Sequence, residues 1–130
     1  MRLALVIGTR PAYLKMWPVC QELCRQDIQP LVIFSDQHVS LLKAHLEYLE
    51  LSCNARHLLE QQPHLSLANL LGLLYTKLIE VLEETRPEAV IVQGDTTTAL
   101  AGGLAAFHLQ IPLMHIEAGC LLYTSPSPRD

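Results

Sequence analysis

Charged and aromatic side chains are scarce in this sequence, at 17% and 5% of its 130 residues. The net charge of −4 comes from interspersed signs, so no basic patch for nucleic acid or for a membrane surface is visible. No apolar run approaches the roughly 20 residues of a membrane-spanning helix, and the first residues lack the small-residue cleavage site of a signal peptide. We expect a cytoplasmic protein that binds neither nucleic acid nor membrane.

Two nucleotide-binding motifs and any metal-binding pattern are also missing. The sequence contains no GxxxxGK[ST] and no GxGxxG after the first predicted strand, which excludes a P-loop and argues against a standard dinucleotide site. His38 and His115 belong to no metal-spaced cluster, so we predict no metal site. The cysteines lack zinc or CxxC spacing and are expected to be buried, reduced thiols: Cys20, Cys24, Cys53 and Cys120.

Hydrophobic residues make up 50% of the chain, and they alternate between strand-like and helix-like patterns. Apolar runs predict strands at 3–8, 29–35, 89–94 and 112–119, with a short edge strand at 55–59. Helical spacing predicts helices from Pro11 to about Asp27 and at 39–50, 65–86 and 96–109. Such alternation indicates βαβ units in a parallel, doubly wound sheet with strand order 3-2-1-4-5.

Polar side chains gather at the predicted carboxyl edge of this sheet. Ligands of open parallel sheets bind where the strand order reverses, here between the strands ending at Gly8 and Gly94. Arg10 and Asp95 would then lie across one crevice. Glu117 ends the next strand, and His115 would share its face because strand side chains repeat every second residue.

Each of these residues also has an ordinary structural interpretation. Asp95 could be only a helix N-cap, worth about 1 kcal/mol. Arg10 and Lys15 could be solvated surface cations, although two cations beside a helix N-terminus would also suit a phosphate. The adjacent glycines at 102–103 cost a helix roughly 2 kcal/mol relative to alanine, so we expect them to pack closely on the sheet.

Four segments together resemble the UDP-N-acetylglucosamine 2-epimerases. They are GTRP with the lysine of LKMWP (8–18), QGDTTTAL (93–100), AAFHLQIP (105–112) and HIEAG (115–119). The resemblance implies a Rossmann-like α/β domain at residues 1–119, the first half of a glycosyltransferase-B-type fold whose active site lies between two domains. It implies a cytoplasmic homodimer that uses neither metal nor nicotinamide. Its non-hydrolysing bacterial members interconvert UDP-N-acetylglucosamine (UDP-GlcNAc) and UDP-N-acetylmannosamine (UDP-ManNAc) for surface polysaccharides, by eliminating and re-adding UDP.

By this resemblance, Asp95 and Glu117 match the family's acidic active-site residues, and Arg10 and Lys15 match its basic ones. Gln37 matches a glutamine associated with a second, regulatory UDP-sugar, and we group His115, on the same predicted edge, with substrate binding. Moving the proton next to the anomeric carbon requires a base and an acid. Expelling UDP through a cation-like transition state favours carboxylates near the sugar and cations near the diphosphate.

The sequence departs from the family pattern at three places. Ala12 replaces a glutamate, Val39 and Ser40 replace polar or basic residues, and 120–122 read Cys-Leu-Leu in place of Leu-Arg-Thr. We expect 120–130 to be a non-native tail, with a divergent natural end as the alternative, and the 130-residue fragment to be inactive because the second domain is absent. Two functional alternatives are a hydrolysing epimerase that releases free N-acetylmannosamine and a non-catalytic sugar-nucleotide-binding module.

Overall fold

A computed structural model describes residues 1–35, 54–59 and 64–118. The strands of this part of the chain are β1 (Arg2–Ile7), β2 (Gln29–Phe34), β3 (Asn54–His57), β4 (Ala89–Gln93) and β5 (Leu113–Ile116). Its helices are α1 (Arg10–Arg25), α2 (Leu67–Thr85) and α3 (Thr97–His108). Apart from the end of β5, these elements agree to within about two residues with the predicted strands and helices that fall within the described residues.

All five strands run parallel, in the order β3-β2-β1-β4-β5, so the predicted topology is confirmed. β1 and β2 are buried over five consecutive residues and β4 along its whole length. Continuous apolar runs of this kind are typical of strands covered on both faces. Because the strands are parallel, their carboxyl ends form one edge, and the order reverses between β1 and β4.

The helices cover opposite faces of the sheet. Helix α1 packs through Tyr13 and Met16 against alternate residues of β1, β2 and β4. Helix α2 buries a leucine stripe at a spacing of four against the other face, where the alanines of α3 also pack. The stripe consists of Leu70, Leu74, Leu78 and Leu82. Two separate cores therefore cover the two faces of the sheet.

The paired glycines of α3 have different surroundings. A Cβ at Gly102 would lie 2.8 Å from Cγ1 of Val92, closer than real Cβ contacts come. A Cβ at Gly103 would meet Cδ2 of Leu113 at 3.5 Å, an ordinary contact distance. The predicted close packing on the sheet is thus confirmed for Gly102 and wrong for Gly103.

Several sequence predictions differ from the structure or fall outside its described part. Strand β5 ends at Ile116 and not at 119, because Glu117 takes a left-handed backbone with φ of 61°. Cys20 is buried as expected, but Cys24 is exposed. The predicted helix at 39–50, the tail at 120–130 and Gln37 lie outside the described residues. Within these, no helix has both the length and the apolar character to cross a membrane.

Candidate functional site

Two similar junctions flank the point where the strand order reverses. At the first, β1 runs through Gly8 to Thr9, whose side chain accepts a hydrogen bond from the amide of Ala12 and begins α1. At the second, β4 runs through Gly94, with φ of 73°, to Thr96, whose side chain accepts from the amide of Ala99 and begins α3. β1 and β4 pair directly, so the two helix N-termini begin at one edge.

Arg10 and Asp95 are each adjacent to one of these two N-caps, on opposite sides of the cap. Arg10 is the first residue of α1, Asp95 precedes the cap of α3, and both are exposed. The interpretation of Asp95 as the N-cap is wrong, since Thr96 performs that role. Neither side chain forms a hydrogen bond or ion pair with another residue in the described part of the chain. Both are therefore available to a ligand at this edge.

Lys15 and Glu117 form an ion pair from opposite sides of the site. Nζ of Lys15, on the second turn of α1, lies 2.7 Å from Oε2 of Glu117. The side-chain amide of Gln93 donates to the same oxygen. The hydrogen bond from Lys15 is the main cause that lowers the pKa of Glu117 from the ordinary value of 4.5. Desolvation opposes it, and the charge of Lys15 and the hydrogen bond from Gln93 lower the pKa further by smaller amounts. Glu117 is therefore held as a carboxylate.

In a continued strand, the Glu117 side chain would lie on the face of His115. Both residues line one groove, but the Glu117 carboxylate reaches the opposite face of the sheet. Gln93 follows Ala89 and Ile91 on the α1 face of the sheet, and the Glu117 carboxylate meets Gln93 and Lys15 there. The positive φ of Glu117 redirects the side chain. A non-glycine residue in this conformation costs about 1–2 kcal/mol, so the surrounding contacts must hold it.

His115 lies beside the second junction. Its Nε2 is 2.6 Å from the carbonyl oxygen of Gly94. Because a carbonyl oxygen can only accept, Nε2 carries the proton and donates, which leaves Nδ1 as an acceptor in the neutral ring. The ring is exposed, so this second nitrogen can reach a ligand.

A groove of about 710 Å³ runs between α3 and β5 from this edge. Its wall is mainly apolar, with polar side chains at one end. It is lined by Val92, Gly94, Asp95, Thr96, Ala99, Leu100, Gly103, Leu104, Leu113, His115 and Glu117. Among residues 1–35, 54–59 and 64–118, no three His, Cys, Asp or Glu side chains are grouped to hold a metal ion.

The site therefore combines two carboxylates in different surroundings with two cations and two helix N-termini. Separated carboxylate environments allow different proton roles, and cations beside a helix N-terminus favour a phosphate. Gln93 was not among the site residues predicted from the sequence. The available signal was a long polar side chain at the end of an otherwise apolar strand, AVIVQ.

Comparisons with known proteins give a consistent family assignment. The family described as UDP-N-acetylglucosamine 2-epimerase matches residues 21–128. The UDP-N-acetylglucosamine 2-epimerase of Neisseria meningitidis is 39% identical over 129 residues, which are 98% of this chain and 34% of the relative. The match continues past the domain boundary predicted at Gly119, and that boundary and the tail remain predictions.

Solved structures agree with the sequence comparison. The Neisseria meningitidis epimerase bound to UDP-GlcNAc superposes with a TM-score of 0.82 at 39% identity, over 98% of this chain and 35% of that one. The Methanocaldococcus jannaschii epimerase in complex with UDP-GlcNAc and UDP gives 0.81 at 34% identity, over 92% and 33%. The predicted fold class is confirmed, and the chain spans about a third of the length of these relatives. The chain belongs to the UDP-N-acetylglucosamine 2-epimerase family.

Proposed function

We propose that this chain forms the first domain of an enzyme that interconverts UDP-GlcNAc and UDP-ManNAc. The observation that carries the proposal is the Lys15–Glu117 pair, whose carboxylate residue lines the same groove as Asp95 at the carboxyl edge of the sheet. A carboxylate pair and cations at one edge are what proton transfer at a sugar and departure of a diphosphate both need. Solved relatives that hold UDP-GlcNAc support the same ligand class.

In this proposal the two carboxylates carry out the proton-transfer steps between them. One removes the proton on the sugar carbon next to the anomeric centre, the C–O bond to UDP breaks, and a proton returns on the opposite face as UDP is re-added. Asp95 and Glu117 are the catalytic residues of this domain. The lowered pKa of Glu117 keeps it anionic, which also suits stabilisation of a cation-like sugar transition state.

The cations and the histidine bind the substrate. Arg10 and Lys15 contact the diphosphate, together with the backbone amides at the helix N-termini. His115 contacts the sugar nucleotide through Nδ1. Gln37, which lies outside the described residues, belongs to a regulatory UDP-sugar site in this proposal.

The remaining parts of the proposal concern the whole protein. A second Rossmann-like domain supplies the rest of the nucleotide site, and the full-length protein is a cytoplasmic homodimer that serves surface-polysaccharide synthesis. No metal or nicotinamide takes part. Because half of the cleft belongs to the second domain, the 130-residue chain alone has little or no turnover, since positioning contributes several kcal/mol to lowering a barrier.

The test is to incubate the full-length two-domain protein with UDP-GlcNAc and to follow the products by proton and phosphorus NMR. The proposal expects UDP-ManNAc without net release of UDP. Free N-acetylmannosamine plus UDP would indicate the hydrolysing reaction, and binding without any product would indicate a non-catalytic module. Either result would overturn the proposal, as would rapid turnover by the isolated 130-residue chain.

A further inference from the structure

The carboxylate of Glu117 is held through one of its two oxygens. Oε2 accepts hydrogen bonds from both Lys15 and Gln93. In the described part of the chain, Oε1 accepts from no other residue. The two donors therefore orient the carboxylate and leave its second oxygen without a donor among residues 1–35, 54–59 and 64–118.

The two donors differ in rigidity. Gln93 is 6% exposed and ends the buried strand β4, where it pairs in register with Ile116, the residue before Glu117. The Lys15 side chain is 50% exposed and reaches the site on a flexible four-carbon stem. The Gln93 amide is thus the more rigidly held donor to Glu117, and the Lys15 ammonium is the donor that can move.

The two donors also differ in charge. A diphosphate at this edge competes with Glu117 for Lys15, because both are anions that an ammonium binds. Gln93 is neutral and has no comparable attraction to a phosphate. Its hydrogen bond to Glu117 can persist while Lys15 turns to the ligand.

From this geometry we infer that Gln93 is a positioning residue, which holds Oε2 of Glu117 so that Oε1 faces the substrate when Lys15 binds the diphosphate. The inference rests on the proposed function. Gln93 does not touch the reacting atoms and acts through Glu117. It also helps to hold Glu117 in its left-handed backbone conformation, because the amide bonds the side chain of that residue from the neighbouring strand.

The test replaces Gln93 in the full-length protein with residues of similar size. Gln93→Met removes the donor, and we expect kcat to fall about 10- to 100-fold, as misplacement of a reacting group by about 1 Å can cost a hundredfold. KM should change less than about threefold, since Gln93 acts on Glu117 and not on the diphosphate. The acid limb of the kcat profile should move to higher pH, because loss of a donor raises the pKa of Glu117.

A second variant makes the role distinguishable from a packing effect. Gln93→Glu keeps the size but places two carboxylates together, so kcat should fall further at neutral pH. Activity should recover partly as the pH falls, because a protonated carboxyl at this position can again donate to Glu117. A purely structural defect would not recover on acidification.

Gln26→Met is the matched control, since Gln26 donates its side-chain amide to Glu22 at 3.0 Å on the exposed end of α1. It should leave kcat and its pH profile unchanged. Melting of each variant, and the carbon-13 NMR titration of Glu117 in the 130-residue chain, give readouts independent of activity. Gln93→Met should raise the pKa of Glu117 in that titration.

The outcomes separate the inference from the proposed function. A wild-type protein without epimerase activity overturns the proposed function, and the NMR titration still tests the contact. An active wild type whose Gln93→Met variant keeps its kcat, pH profile and Glu117 titration overturns the inference alone.

Discussion

The two junctions at the carboxyl edge have the same construction and opposite charge. Each runs from a buried strand through a glycine to a threonine that caps a helix. The first presents cations, Arg10 and Lys15, on a helix that packs through large side chains. The second presents Asp95 before a helix that packs through alanine and glycine. Similar junctions thus present opposite charges at one edge of the sheet.

The comparison separates the residues that stabilise the fold from those that are available to bind a ligand. The threonine caps satisfy the helix starts at both junctions, so neither Arg10 nor Asp95 is needed there for hydrogen bonding. A cation at a helix N-terminus is in fact opposed by the helix dipole. Charges that the fold does not need are expected to serve a ligand.

Apart from loss of the two catalytic carboxylates, the largest effect should follow from removing the cations of the first junction. In the full-length protein, Arg10→Gln and Lys15→Gln should each lower kcat/KM about 10- to 100-fold, since hydrogen bonds to charged groups contribute about 1.5–3 kcal/mol. Arg10→Gln should act through KM, whereas Lys15→Gln should also lower kcat because, in the proposed function, the Lys15 ammonium stabilises the departing diphosphate. Arg25→Gln, at the far end of α1, is the control. Wild-type steady-state kinetics for Arg10→Gln would contradict the proposal that the cation of the first junction binds the substrate.

The next largest effect should come from the different packing of the two adjacent glycines in α3, the helix of the second junction. Gly102→Ala should lower the free energy of unfolding by about 1–3 kcal/mol, because its Cβ overpacks against Val92. Gly103→Ala should raise it by up to about 1 kcal/mol through helix propensity alone. Urea unfolding of both variants measures the difference. Equal effects at the two positions would contradict the assigned packing.

The caps themselves should differ slightly in strength. The hydrogen bond to Thr96 is 3.1 Å and that to Thr9 is 3.4 Å. Thr96→Ala should therefore cost about 1 kcal/mol, and Thr9→Ala less. Thermal or urea unfolding will rank them. A larger loss for Thr9→Ala would mean that the first junction depends more on its cap than the distances indicate.

The smallest expected effect is a pH dependence of stability at Glu117. Its pKa in the folded chain is lowered, so its contribution is present above the ordinary value and is lost as the pH falls through the lower folded value. Glu117→Gln should thus be less stable than wild type at pH 7, and the difference should shrink on acidification. Unfolding measured at several pH values tests this. A difference that stays constant with pH would contradict the ion pair as its source.

Much of the fold followed from local patterns. Apolar runs located the strands, and the alternation with helices predicted the observed order. These features placed Arg10 and Asp95 at one edge because parallel strands end together. Such inferences need only side-chain polarity and chain direction.

The contacts of Glu117 could not be predicted in this way. The period of two holds only while the strand continues, and the left-handed φ at Glu117 sends the side chain to the other face. The pairing with Lys15 spans 102 positions, and nothing local encodes it. The role of Thr96 as cap was likewise hidden, since Asp95 and the threonines after it are all good capping residues.

The central claim is that the carboxylates at this edge move the proton on the sugar carbon next to the anomeric centre. The direct measurement is deuterium incorporation at that carbon when the full-length protein acts on UDP-GlcNAc in heavy water. The account predicts incorporation by the wild type, and a loss of about 100-fold or more in its rate in both Asp95→Asn and Glu117→Gln, with substrate binding largely retained. Wild-type exchange rates in both variants would contradict it.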